Sequence, residues 1–365
     1  MKSRIIALAI IILSIGSLLI GGDAMKANSN QDKSLFLISV NEKYGYIDKK
    51  GTVVIPPKFI YAEQFSEGMA VIGDGKGKSG YIDTKGSVVV KPTYDQAFPF
   101  SEGLGSVGVI GKDRETHFRY IDKMGKTRID GDFRFALPFS EGMAAVDVAD
   151  HLLGEDIVRF IDKQGDLVSE PFHVQMISPA GELFFHESKV LLSQQNEKLA
   201  YYDRSGQRLF NTEFDHAKPF AEGVAAACIY RDEIGCGYID KNGKWTIKPV
   251  FAGVDSFSEG MAAVLTSVGK VGYINKSGKL LFTIPFENAD LFHEGRAAVV
   301  DENDKWGFID TKGKIIVKPQ FDSVESYSNG LAKFELEVPS NKDGEERIKI
   351  GYIDSQGKVV WKARY

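Results

Sequence analysis

After the N-terminal segment, apolar positions come in short β-branched and aromatic runs broken by Asp, Gly and Pro. Tyr46-Ile47-Asp48 and Thr52-Val53-Val54-Ile55 flank Asp-Lys-Lys-Gly, a pattern that predicts two strands joined by a tight turn. Asp48 accepts from backbone amides and Gly51 takes the left-handed conformation, giving a type I turn with a bulge at the glycine. Pro56, Pro92, Pro249 and Pro319 are expected to stop the second strand, because proline cannot donate to a ladder. A third run, such as Met69-Ala70-Val71-Ile72, carries small residues suited to close packing against a neighbour.

This block repeats nine times. Asp48 and Gly51 recur as Asp83 and Gly86, Asp240 and Gly243, and Asp310 and Gly313, with further copies at Asp122, Asp162, Asp203, Asn275 and Asp354. A second landmark is Phe65-Ser66-Glu67-Gly68, which returns as Phe100, Glu102, Gly103 and as Phe257, Glu259, Gly260, and around Phe139, Phe220, Phe292 and Tyr327. The step from turn Asp to corner Glu is constant, 67−48 and 102−83 both giving 19. The step from Glu to the next turn varies, 83−67 giving 16 and 122−102 giving 20. Insertions are therefore confined to one connection, as in an array with one loop facing solvent. Between Asp162 and Asp203 the corner reads as Ser178-Pro179-Ala180-Gly181, in a unit that has drifted from the rest.

These blocks predict an all-β chain of nine three-stranded antiparallel meanders spanning 35–361, with 362–365 as a tail. An open solenoid is the first expectation, since nine units exceed the usual four to eight blades of a ring. A β-propeller-like ring is the alternative, because a meander is also a blade.

The pattern Trp-Gly-Phe-Ile-Asp-x-x-Gly-x-Ile, in Trp306-Gly307-Phe308-Ile309-Asp310 and the residues to Pro319, resembles the bacterial WG-repeat family. The Trp position holds Tyr44, Ser79, Phe118, Val158, Leu199, Cys236, Val271 and Ile350 in the other units, and Arg119, Arg159 and Ala200 replace the glycine in the middle. The resemblance implies repeated β-structure, often in exported proteins, and no agreed enzymatic activity. A weaker likeness is to the β-hairpin repeats of cell-wall-binding proteins.

The N-terminus changes the picture of compartment. A basic lead, Lys2 and Arg4, precedes an uncharged run from Ile5 to Ile20 and then Gly21-Gly22-Asp23-Ala24. This is the layout of a secretory signal over 1–24, or of an uncleaved membrane anchor; residues 25–34 read as a polar tether. Without Lys2, Arg4 and Asp23 the charge count moves from 45−50 to 43−49. That mild acidity and the lack of a basic stripe argue against nucleic acid as a partner. A membrane is expected only through the N-terminal segment.

Cys228 and Cys236 close and open consecutive strand runs, so they can face each other across a hairpin, which predicts a disulfide contributing about 2–3 kcal/mol at most. Two separate buried thiols are the alternative. For the repeated acids, structural roles outweigh chemical ones. Asp-x-x-Gly supplies one ligand where a calcium loop needs several, and capping of backbone amides by Glu67 and its equivalents is favoured over a carboxylate pair for glycoside cleavage. The Phe65, Phe100, Phe139, Phe220 and Phe257 rings are expected to plug the core between units. Six scattered histidines form no metal-ligand spacing, and no nucleophile or phosphate-loop motif appears; Gly73 to Lys78 reads as a flexible turn. No catalytic residue and no cofactor is expected. The functional expectation is an exported, non-catalytic binding or scaffold protein of the cell envelope contacting protein or glycan. The alternative is an envelope hydrolase acting on glycan, or its inhibitor, with acids from adjacent units. The insertions at 149–156 and 338–346 and the drifted unit are where recognition would concentrate.

Overall fold

The computed structural model describes residues 34–148, 157–169, 172–173, 183–194, 196, 198–230, 234–338 and 347–363. Strands such as Phe36–Val40, Lys43–Ile47 and Val53–Phe59 form because β-branched and aromatic side chains alternate there between turn residues. Each Asp-x-x-Gly turn is built alike. Asp48 Oδ1 accepts the N–H groups of Lys50 (2.8 Å) and Thr52 (2.9 Å), while Gly51 N–H donates to the Asp48 carbonyl at 3.0 Å. Asn275 makes the same pair of bonds, at 3.1 and 3.0 Å, without a charge.

The last strand of each unit differs from the expectation that proline stops it. Val53–Phe59, Val88–Tyr94, Trp245–Phe251 and Ile315–Phe321 run through Pro56, Pro92, Pro249 and Pro319. These strands lie at a sheet edge, where a missing N–H costs little. They are also bulged: Tyr46 pairs with Ile55 and Tyr44 with Phe59, so the last strand advances four residues while its partner advances two. The bulge brings backbone over the glycine of the Trp-Gly pair. A Cβ on Gly80 would lie 2.4 Å from the Val90 carbonyl oxygen, and one on Gly307 equally close to that of Val317.

Several units join through a short strand that follows closely on the last strand of the unit before. Tyr61–Ala62 pairs with Met69–Gly73, and Gln96–Ala97 with Gly105–Ile110. In Thr127–Ala136 the two elements are one continuous strand, which links two units into a seven-stranded sheet. Between consecutive units lie compact apolar clusters. Met69, Val71 and Tyr81 pack on Phe100, Val107 and Ile121 of the next unit. Ala298, Phe308 and Val317 pack on Tyr327, Ala332 and Phe334.

The first and last units make the same kind of contact. Phe36, Ile38 and Ile47 share a cluster with Leu331 and Tyr352, and the Phe36 and Tyr352 rings meet edge-on at 5.5 Å. The Tyr352 hydroxyl donates to the Leu37 carbonyl at 2.7 Å across 315 residues of sequence. Gly51 also lies against Val360, just as Gly86 lies against Ile55 of its preceding unit. The array is therefore closed, which corrects the open solenoid in favour of the propeller-like ring. The count of units does not prevent closure, because the rotation per unit is set by packing at each interface.

Candidate functional site

The Phe-Ser-Glu-Gly corner is where the recurrent carboxylates act, and each corner holds the next. The Glu67 carboxylate accepts the Gly103 N–H at 2.9 Å, Glu102 accepts that of Gly142 at 3.0 Å, and Glu259 that of Gly295 at 2.9 Å. The serine repeats the step: Ser66 Oγ donates to the Phe100 carbonyl at 2.6 Å, and Ser258 Oγ to the Phe292 carbonyl at 2.6 Å. Every such Glu has a left-handed backbone, with φ near 51° at Glu67 and 53° at Glu102 and Glu259, and the following Gly68, Gly103 and Gly260 are left-handed too. Two successive left-handed residues are what tightens the corner. Lys123 bridges one unit further, with Nζ 2.7 Å from the Glu67 carbonyl oxygen and 3.2 Å from its carboxylate. Lys163 does the same at Glu102, at 3.2 and 2.9 Å.

The corner rings are core. Phe100 and Phe139 are fully buried, Phe257 nearly so, and Phe65 packs on Tyr46 at 4.6 Å between ring centres. The Tyr81 hydroxyl donates to the Phe98 carbonyl at 2.8 Å, and Tyr120, Tyr201, Tyr238 and Tyr273 each reach a carbonyl 17 residues on. Burial pushes these phenols far above their ordinary range.

The drifted unit keeps a corner that the sequence reading misplaced. It is Phe185-His186-Glu187-Ser188, with Glu187 and Ser188 at φ 51° and 63°. Ser140 Oγ donates to the Phe185 carbonyl at 2.9 Å, and Glu187 accepts the Gly223 N–H at 2.8 Å. Serine in place of the terminal glycine hid it, and so did its distance from the turn: 187−162 gives 25 where the other units keep 19, so the extra residues of this unit precede the corner, which corrects the expectation that insertions are confined to one connection. Residues 178–181 lie outside the described residues, as do the insertions at 149–156 and 339–346.

The chemistry available from the acids follows from these contacts. Asp48, Asp83, Asp240 and Asp310 hold turns, and the corner carboxylates hold neighbouring amides. Backbone donation from Lys244 leads the effects holding Asp240 below the usual carboxylate range. Among the described residues no group of three or more His, Cys, Asp or Glu is placed to hold a metal ion.

Register separates two ends of each unit. Met69 pairs with Asp83, so corner and Asp turn share one end; Gly73 pairs with Ser79, so the variable hairpins gather at the other. In the Gly73 to Lys78 hairpin, Asp74 accepts the Lys76 and Lys78 N–H groups, so this loop is an ordered turn of the same design. Cys228 and Cys236 are paired opposite each other and joined by a disulfide, with Cα atoms 4.1 Å apart and both side chains buried. His117, in another such hairpin, has Nε2 2.9 Å from Asp113 Oδ2 and Nδ1 against Asp132 Oδ1. Asp132 and then Asp113 raise its pKa.

Comparison with known proteins adds the following. The family model for the WG containing repeat matches residues 44–75, 80–110, 118–149, 200–230, 237–266, 272–306 and 306–337. No curated protein matches the chain. Among solved structures it is similar to one described as the crystal structure of the eukaryotic initiation factor, at 12% identity and a TM-score of 0.60, covering 90% of this chain and 95% of that one. BamB from Moraxella catarrhalis follows at 12% identity, 86% and 99% coverage and a TM-score of 0.43. The WD40 beta propeller domain of Doa1 has 13% identity, 90% and 97% coverage and a TM-score of 0.34. At such identities the first of these bears on the fold alone.

Proposed function

This chain belongs to the WG-repeat family, and from that premise we propose that it is an exported, non-catalytic binding or scaffold protein of the cell envelope. The observation that carries the reading is the separation of the two ends of each unit. The recurrent Asp and Glu side chains are engaged at one end by backbone amides, while length and sequence vary at the other. A surface that varies on a rigid frame suits recognition. Export rests on the basic lead, apolar run and small residues of 1–24, with 25–34 as tether.

The test is binding of the exported protein to cell-wall material and to envelope extract, run beside an assay for glycan release. Saturable binding without turnover is expected. Glycan release that disappears in Glu102→Gln would replace this reading with the hydrolase. N-terminal sequencing of protein recovered outside the cytoplasm should begin near residue 25; recovery only from the cytoplasm would remove the envelope role.

A further inference from the structure

The strands that follow the Asp turns differ round the ring in what they show to solvent. Val53-Val54 in the first unit, Val88-Val89 in the second and Leu280-Leu281 in the seventh are aliphatic pairs on the outside of the fold. Ile315 and Val359 take the first of the two places in the eighth and ninth units, and all eight side chains are between 41% and 50% exposed. Val53 pairs with Ile47, Val88 with Ile82, Leu280 with Ile274, Ile315 with Ile309 and Val359 with Ile353. Each therefore sits directly beyond its turn, at the end of the unit that holds turn and corner. Because the ninth unit packs on the first, the seventh, eighth, ninth, first and second units form one unbroken run.

Charge follows the same division. None of the five strands holds an acidic residue. Exposed lysines flank the aliphatic pairs instead: Lys50 and Lys58 in the first unit, Lys85 and Lys91 in the second, Lys314 and Lys318 in the eighth. Elsewhere the two places read Thr127-Arg128, Arg208-Leu209 and Trp245-Thr246. The fourth unit has Leu167-Val168, but beside an exposed Asp166, and the strand Thr127–Ala136 carries exposed Asp130 and Asp132. The described chain also enters the array within the run. Phe36 pairs with Ile47, so the first strand starts at the turn-and-corner end, and the apolar stretch Ile5 to Ile20 precedes it in sequence.

We propose that this run of five units is a docking face for an anionic lipid bilayer, with the aliphatic pairs in the interfacial layer and the lysines at the headgroups. Aliphatic side chains gain by leaving water for that layer, and each lysine near an anionic surface adds an electrostatic gain. The core of a protein interface is instead rich in aromatic residues and poor in lysine, and the prolines and bulges of these strands oppose pairing with another strand. The pairs share one end of their units, so a single surface meets them together. The face adds a membrane contact of the array itself to the one expected from the N-terminal segment. It leaves in place the binding reading above, which uses the other end of each unit.

The experiment places a photocrosslinking p-benzoylphenylalanine at Val54, Val89 or Leu281 of the full chain, illuminated on vesicles of phosphatidylglycerol and phosphatidylcholine. Phospholipid should become attached at all three positions and not at Arg208, in the fifth unit across the ring. Lys50→Gln, Lys85→Gln and Lys314→Gln combined should lower attachment at Val54 by about tenfold, with the melting curve unchanged, and vesicles of phosphatidylcholine alone should give a similar loss. Attachment at Arg208 equal to that at Val54 would mean that the N-terminal segment alone holds the chain to lipid, and overturns the proposal. Attachment indifferent to the lysines and to lipid charge overturns it too, as does capture of one protein in place of lipid from all three positions in the producing cell. The binding reading is decided separately, by uptake onto cell-wall material and envelope extract, so it stands or falls independently of these results.

Discussion

At the scale of single residues, the turn aspartates and two kinds of glycine set the repeat. Asp240 is held below the usual carboxylate range chiefly by the Lys244 N–H. A depressed folded pKa contributes stability that is present above the unfolded value, about 3.9, and is lost as pH falls through the folded one. Asp240→Ala should therefore cost about 0.5–1 kcal/mol at neutral pH, and the gap in urea midpoint should narrow in acid as the charge-assisted part of the bonds is lost; Asp240→Asn should keep most of the turn, as Asn275 does. A gap that stayed constant down to about pH 2 would remove the charge from this account. Gly307 is constrained by space, with the Val317 carbonyl oxygen 2.4 Å and the Pro319 nitrogen 2.7 Å from where a Cβ would lie. Gly307→Ala should destabilise by about 2–4 kcal/mol, read by thermal melting. The turn role of Asp48 was legible because its partners are two and four residues away. The role of Glu67 was legible only as amide capping, since its partner Gly103 lies 36 residues on.

At the scale of elements, the last strand shows how an exposed edge is kept from pairing with another chain. Lys58, Lys91, Lys248 and Lys318 are exposed beside the prolines, and the bulge bends the edge. Charge, proline and bulge each oppose edge-to-edge association. The corner is the complementary element, joining units through its Phe. Phe100 is fully buried, 4.9 Å from Tyr81 of the preceding unit, so Phe100→Ala should cost about 3–5 kcal/mol in denaturant unfolding. An unchanged midpoint would show that the interface tolerates the cavity. The misplaced corner of the drifted unit has an element-scale cause. A left-handed position usually advertises itself as glycine, but Ser188 takes it here because neighbouring contacts hold the backbone.

At the scale of the whole molecule, closure makes the two ends of the array interior. In an open array the terminal units fray, each being held from one side only. Here Phe36 and Tyr352 complete a ninth interface. Amides of Phe36–Val40 and Arg347–Asp354 should therefore exchange as slowly as those of Met261–Leu265. Phe36→Ala should lower one global transition by about 3–5 kcal/mol, measured by hydrogen exchange and calorimetry together. Rapid exchange confined to the end units in the unmodified protein would contradict a closed ring.

By itself the sequence determined the repeating unit, its turns, its β character and the main place where length varies, because each rests on contacts a few residues apart or on hydrophobic period; the extra residues before the Glu187 corner escaped it. Tertiary structure alone decided that the array closes and that each corner carboxylate serves the next unit. Those outcomes depend on the rotation accumulated over many interfaces, and no short stretch of the chain encodes that sum.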